Sequence, residues 1–149
     1  MPLNKFSIIL NSANKVDGTN NNANFQFDFS QFEQCLYQVF FNFSGVPGTL
    51  TNSTEPPILQ IGLSQNNIFK IGGQTTNTIG PLYMLWSSNK TLITGTSTDT
   101  LQTLILTLPQ NQITIRLVTY DEKTLWLDAN GNDLLKYILI MTFEKVLPS

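Results

Sequence analysis

The sequence predicts an all-β protein, built as an antiparallel sandwich or barrel in one domain of 149 residues. Short segments alternate apolar and polar residues at the two-residue period of a β-strand. Segments rich in Asn, Thr, Ser and Gly separate them, as turns and loops do. No long segment repeats its apolar residues at helical spacing. We therefore expect about 8–10 short strands and no long helix.

The strongest strand signal lies near the end of the chain. Four apolar side chains alternate along this segment and form its expected core face: Tyr137, Leu139, Met141 and Phe143. Ile138 and Ile140, on the opposite face, are apolar as well. A strand that is apolar on both faces is normally covered on both sides. We therefore expect residues 137–143 near the centre of a sheet, fully buried.

Eight further segments have strand character. They cover residues 6–10, 24–29, 36–43, 58–63, 68–71, 81–86, 101–108 and 113–120. The polar segments between them are expected as loops, the longest at residues 11–22, 45–57, 72–80 and 87–100. Pro81 is expected at the first position of its strand, where proline is tolerated.

Residues 30–41 are ambiguous. Ser30 and Glu33 match a helix capping box, and Phe32, Leu36 and Phe40 have helical spacing. The residues from Tyr37 onward alternate at period two and are rich in aromatic and β-branched side chains, which favours a strand. We predict one turn of helix at most, followed by a strand; a full helix is the alternative.

The composition argues against some classes of function. Lys and Arg number eight against ten acidic residues, and the net charge is −2. Nucleic-acid binding requires clustered cations, so it is not expected. Only 12% of residues are charged, and Asn and Thr contribute 16 and 18 copies, which suits a surface that packs against neighbours. The single cysteine, Cys35, is expected as a small buried hydrophobe. No apolar segment approaches the ~20 residues of a membrane span, and no signal peptide is expected.

Catalytic chemistry is not indicated. The chain has no histidine, which removes the Ser-His-Asp and Cys-His systems and histidine metal sites. Asp128 and Asp133 could form a carboxylate pair, or residues 128–133 could bind calcium through oxygen ligands. Turn formation around Asn130-Gly131 is the interpretation we favour, since this dipeptide suits a tight hairpin. We therefore predict no enzyme, no cofactor and no metal.

Aromatic residues give one possible binding site. Trp86, Trp126 and Tyr120, with Tyr83 nearby in sequence, could form a stacking platform for sugars. In an all-β protein such residues more often belong to the core. A carbohydrate-binding module without catalytic activity is therefore the alternative function.

The first twenty residues carry a motif. An apolar strand at residues 6–10 leads into Asn11-Ser12-Ala13, a basic residue, Lys15, and a Gly18-Thr19 turn; an alternating strand follows. This arrangement, together with the closing strand at residues 137–146, resembles small structural proteins of large double-stranded DNA viruses, virophages and polinton-like viruses. The resemblance implies a sandwich of single jelly-roll type, with a penton or minor capsid role in an icosahedral shell.

The same resemblance implies partners and location. Other capsid proteins would be the partners, and the protein would assemble in the host cytoplasm and reside in the virion. The long loops hold few charges and are therefore easy to desolvate. From them we predict self-association, with a closed ring such as a pentamer favoured.

Overall fold

The computed structural model describes residues 4–49, 55–63, 69–71, 74–76, 78–87, 91–96, 103–105, 112–121 and 124–146. Thirteen strands lie in these ranges: β1 (Lys5–Asn11), β2 (Asp17–Thr19), β3 (Asn22–Gln26), β4 (Tyr37–Val46), β5 (Ile58–Leu63), β6 (Phe69–Ile71), β7 (Gln74–Thr76), β8 (Thr78–Tyr83), β9 (Leu85–Trp86), β10 (Ile93–Thr96), β11 (Thr103–Ile105), β12 (Gln112–Val118) and β13 (Lys136–Lys145). A 3₁₀ turn covers Ser12–Asn14, and no helix among these residues is long and apolar enough to cross a membrane.

The strands form two antiparallel sheets packed as a sandwich, which confirms the predicted fold class. The first sheet has the order β1-β13-β4-β11-β6-β7, with β10 beside β4 and β9 beside β10. The second has the order β2-β3-β12-β5-β8. The pairings are nested: β1 pairs with β13, β3 with β12, β4 with β10 and β11, and β5 with β8.

The core lies between the sheets because each long strand turns its apolar side chains to one face. On β13 those side chains are buried: Tyr137, Leu139, Met141 and Phe143. On the neighbouring β4 a second buried row follows the same alternation: Tyr37, Val39, Phe41 and Phe43. β12 supplies the opposing face, with Ile113, Ile115 and Leu117 buried.

The prediction that β13 is covered on both faces is wrong. Pairing on its two edges with β1 and β4 places it inside the sheet, as expected. Its second face, however, points away from the sandwich, and Ile138 is 42% exposed. The alternation of apolar residues gave no information about whether another layer of this chain covers the outer face.

Residues 30–41 contain no helix. A turn at Ser30 to Phe32 brings the Phe32 ring onto Phe6, with centroids 3.7 Å apart and planes 3° from parallel. The strand that follows, β4, extends to Val46, beyond the predicted end at residue 43. The aromatic alternation therefore decided the conformation over the capping-box pattern.

Three predicted loops contain strands. β2 lies within residues 11–22, β7 and the start of β8 within 72–80, and β10 within 87–100. Their sequences are polar because they are short or have one face in solvent. Pro81 lies inside β8, where the register shifts opposite Gln60; proline is tolerated at such an irregularity on an edge strand. Residues 50–54, 106–110 and the other undescribed positions in the predicted loops and strands lie outside the described ranges.

Candidate functional site

The two tryptophans do not form an open stacking platform. The Trp126 side chain is 4% exposed, and its indole N–H donates to the Glu55 carbonyl at 2.8 Å. Trp86 is half-buried, and its ring centroid lies 6.5 Å from that of Trp126 with the planes tilted by 58°. A sugar ring needs an exposed aromatic face, and Trp126 presents none. The side chain of Tyr83 lies outside the described part of the structure.

A shallow depression of about 350 Å³ lies beside Trp126. Tyr120 and Leu127 line it and are 54% and 46% exposed. Glu55 and Asp128 also line it. The structure therefore brings Tyr120 and Trp126 to one site, with Tyr120 as its accessible aromatic side chain, and leaves Trp86 outside the lining.

Asp128 organises the turn that follows Trp126. Its Oδ1 accepts the backbone N–H groups of Asn130 and Asn132, both at 2.9 Å, and its Oδ2 accepts the N–H of Thr49 at 3.0 Å. These bonds, the one from Asn132 foremost, hold the pKa of the Asp128 carboxyl below its ordinary value. The carboxylate therefore ties the end of β4 to the turn.

The geometry of this turn supports the turn interpretation of residues 128–133. Gly131 has φ +79°, and its N–H donates to the Asp128 carbonyl at 3.0 Å. The turn connects β12 to β13, which lie in different sheets, so it is not the two-residue hairpin that Asn130-Gly131 suggested. Within the described ranges, no three acidic, Cys or His side chains form a group that could hold a metal ion.

The N-terminal motif forms a clasp, by which we mean Ser12, Asn20 and Asn21 together with their bonds to residues 126–137. Ser12 is buried, and its Oγ accepts the Tyr137 N–H at 3.0 Å. Asn20 donates to the carbonyls of Leu134 and Leu135 at 2.7 and 3.1 Å. The motif thus attaches the start of the chain to the segment that enters β13.

Asn21 is the central member of the clasp. It is 0% exposed; its side-chain amide donates to the Trp126 carbonyl and its Oδ1 accepts the Leu134 N–H at 3.1 Å. Sequence reasoning missed this residue because it lies among similar asparagines. The only sequence signal for this site was the N-terminal motif itself. A buried Asn must satisfy both ends of its amide, and Asn21 does so with these two bonds.

Gly18 is required by geometry at the turn within the motif. Its φ is +86°, and a Cβ on it would lie 2.1 Å from the Asn22 backbone oxygen. No other residue type fits there without moving the backbone of β3. The residues that carry the family resemblance therefore serve the fold.

The outer face of the first sheet carries several apolar side chains. We call its apolar side chains the outer-face patch: Ile9, Phe40, Ile138 and Ile140. Ile9 and Ile140 lie opposite each other in register, and Ile138 follows Ile140 on the same face. Ile9 is 65% exposed. Contiguous exposed apolar side chains commonly mark an interaction surface.

Most of the residues around the outer-face patch are polar and uncharged; the exception is Lys136, beside Ile138. Ser7 and Thr142 lie opposite each other on this face, and their hydroxyls share a hydrogen bond of 2.9 Å. Asn42 and Ser44 continue the face on β4. Beside Ile138 lies a shallow depression of about 320 Å³, also lined by Asn11, Ser44, Val46 and Lys136. The charged residues of β1 and β13 occur at the strand ends, and β4 has none. A partner could therefore cover the patch without burying an unpaired charge.

Comparison of the chain with protein-family models, with curated proteins and with solved structures gives no match.

Proposed function

We propose that this protein is a structural virion protein, a penton or minor capsid component that packs beside copies of itself in an icosahedral shell. The observation that carries the proposal is the outer-face patch, an apolar centre whose polar rim holds a single charged side chain, Lys136, among the residues described around it. This is the composition of an interface core, from which charged residues are depleted.

The strand order supports the jelly-roll part of the proposal. A jelly roll has eight strands in two sheets. Eight of the thirteen described strands, taken in chain order, have nested pairings, first with last and fourth with fifth: β1, β3, β4, β5, β8, β10, β12 and β13. The remaining short strands extend these sheets.

The clasp supports a structural role. Ser12 and Asn21 are buried and hydrogen-bonded within the chain, so neither is available to a substrate. Carbohydrate binding is less well supported, because the Trp126 indole is enclosed and its N–H is already bonded to Glu55.

The assembly test compares Ile138→Asn with Val16→Asn. Val16 is also a largely exposed apolar side chain, but it lies before β2 and away from the outer-face patch. We expect the wild-type protein to form closed rings at concentrations of roughly 10–100 µM, visible in electron micrographs and by sedimentation velocity. Ile138→Asn should reduce the ring population by about tenfold or more, and Val16→Asn should preserve it.

The virion role itself is tested by copurification. An antibody raised against the recombinant protein should detect it in density-gradient fractions that contain virus particles, at a fixed ratio to the major shell protein. A protein found only in the particle-free fractions, or a strict monomer whose mass neither variant changes, would contradict the proposal. A glycan-array signal lost in Tyr120→Ala would favour the carbohydrate-binding alternative.

A further inference from the structure

β1 forms an open edge of the first sheet. Of the strands that the structure describes, only β13 pairs with it. It is seven residues long, and its outward face includes Ile9, the more exposed member of the Ile9–Ile140 pair. A long apolar edge presents a row of unpaired N–H and C=O groups and is therefore a template for another strand.

The register shows which backbone groups face outward. The Lys145 N–H donates to the Asn4 carbonyl at 2.8 Å, so residues 4 and 145 form a hydrogen-bonded pair. Such pairs recur at every second residue of an antiparallel ladder. Residues 6, 8 and 10 therefore bond to β13, and the N–H and C=O groups of Lys5, Ser7 and Ile9 point to the open edge. The N–H of Asn11 does so too, whereas its carbonyl begins the 3₁₀ turn at Ser12–Asn14.

The other sheet edges on the described strands are protected. β8 contains Pro81 and a register shift, two features that discourage strand pairing. β2 and β7 are three residues long and β9 is two, so they offer little length for a ladder. Only at β1 is a long, regular edge left exposed within the described part of the sandwich.

We propose that β1 pairs antiparallel with β1 of a second copy, about a two-fold axis at Ile8. Ser7 of one copy then lies opposite Ile9 of the other, and Lys5 lies opposite Asn11. The outward backbone groups of both strands are paired, apart from the Lys5 N–H opposite the engaged Asn11 carbonyl, which gives about six N–H···O bonds. The two first sheets become one continuous sheet.

The strand is self-complementary in this register, which is why a second copy is the occupant. The two Lys5 side chains are six residues apart along the ladder, about 20 Å, so their charges are largely screened. The two Ile9 side chains are diagonal neighbours, within reach of each other. Each also lies opposite Ile140 of its own chain, so the outer-face patch continues across the junction.

The contact is isologous, with the same residues on both sides, and it differs from the contact that closes a ring. It goes beyond the proposed function, because β1 pairing needs no shell. In a shell, a two-fold contact of this kind would join neighbouring rings.

A proline at position 7 tests the pairing selectively. The Ser7 N–H points to the open edge, so Ser7→Pro removes an outward donor and blocks strand addition while leaving the ladder to β13 intact. Ser7→Ala is the matched control, since it also loses the hydroxyl bond to Thr142 but keeps the N–H. A second variant, Ile9→Lys, places a charge on the same edge at an exposed position.

We expect Ser7→Pro and Ile9→Lys to weaken two-fold self-association about tenfold or more in sedimentation equilibrium, and Ser7→Ala to resemble the wild type. Wild-type protein that stays monomeric up to roughly 100 µM would overturn the proposal, as would association unchanged in a folded Ser7→Pro or in Ile9→Lys. Ile9 also belongs to the outer-face patch, so Ser7→Pro is the variant that separates the two proposals. If Ile138→Asn disrupts rings while Ser7→Pro associates normally, the edge pairing is wrong and the shell role stands.

Discussion

Asn21→Ala should destabilise the protein far more than the same change at either neighbour. The substitution leaves the Trp126 carbonyl and the Leu134 N–H without their partner, and both bonds lie in the interior. Each buried backbone group left unpaired costs about 1–3 kcal/mol, so the expected loss in the free energy of unfolding is about 2–6 kcal/mol. Since domains are stable by only about 5–15 kcal/mol, this is a large share of the total.

The neighbouring asparagines are matched controls. Asn22 has an exposed side chain, so Asn22→Ala should change the free energy of unfolding by no more than about 0.5 kcal/mol. Asn20 binds two carbonyls at the partly exposed side of the clasp, where water can replace it, and Asn20→Ala should cost about 1 kcal/mol.

Equilibrium unfolding in urea, followed by tryptophan fluorescence, measures all three variants. The slope of the unfolding transition should be unchanged, so that the midpoints compare stability directly. Equal midpoints for Asn21→Ala and Asn22→Ala would refute the reasoning, because they would show that the clasp bonds add nothing beyond what water supplies.

Three further predictions follow from buried or constrained groups. Tyr137→Phe should raise the free energy of unfolding by about 1 kcal/mol in a urea titration, since the Tyr137 hydroxyl is buried without a partner among the described residues; a loss of stability would contradict this. Gly18→Ala should lower the free energy of unfolding by at least about 2 kcal/mol more than Gly131→Ala. Both glycines have positive φ, but only at Gly18 would the added Cβ meet a backbone atom. Similar melting temperatures of the two variants would show that the backbone of β3 shifts easily. The folded-state pKa of Asp128 is lowered, so the stability that this carboxylate contributes is present above its ordinary pKa of about 4 and is lost as the pH falls through the folded value. Acid unfolding of Asp128→Asn should lack this loss of stability. An acid-unfolding curve parallel to that of the wild type would argue against the prediction.

The sequence predicted those elements whose local pattern is enough to define them. β5 was predicted at its observed limits, Ile58–Leu63. β13 was placed near the centre of a sheet because both of its faces are apolar, and it does lie between two partner strands. β10 was missed because it has a single buried apolar side chain, Ile93, among threonines and a glycine. Its pairing with β4 compensates for a weak local signal, and that pairing is a long-range property.

At the candidate sites, too, the sequence could not show which residues depend on long-range contacts. The sequence left Trp126 open between the core and a binding surface. The structure buries it and bonds its indole N–H to the carbonyl of Glu55, 71 residues away in the chain. Asn21 cannot be distinguished from Asn20 and Asn22 by composition or propensity. Which asparagine is buried is decided by where the turn between β2 and β3 meets the segment before β13. The covering of Ile138 was predicted wrongly because period-two patterning does not reveal what lies beyond a sheet.

The pairing of β1 with β13 has a consequence for synthesis on the ribosome. Ile8 lies opposite Met141, so the first strand waits until about 130 more residues have been made. At a translation rate of about 5–20 residues per second, this takes roughly 7–26 s. Throughout that interval the apolar first strand has no partner from its own chain and is open to aggregation or to chaperones. A chain that stopped before residue 136 would lack β13 and therefore both of its ladders, to β1 and to β4. Synthesis of β13 is therefore the step that allows β1 and β4 to join in one sheet.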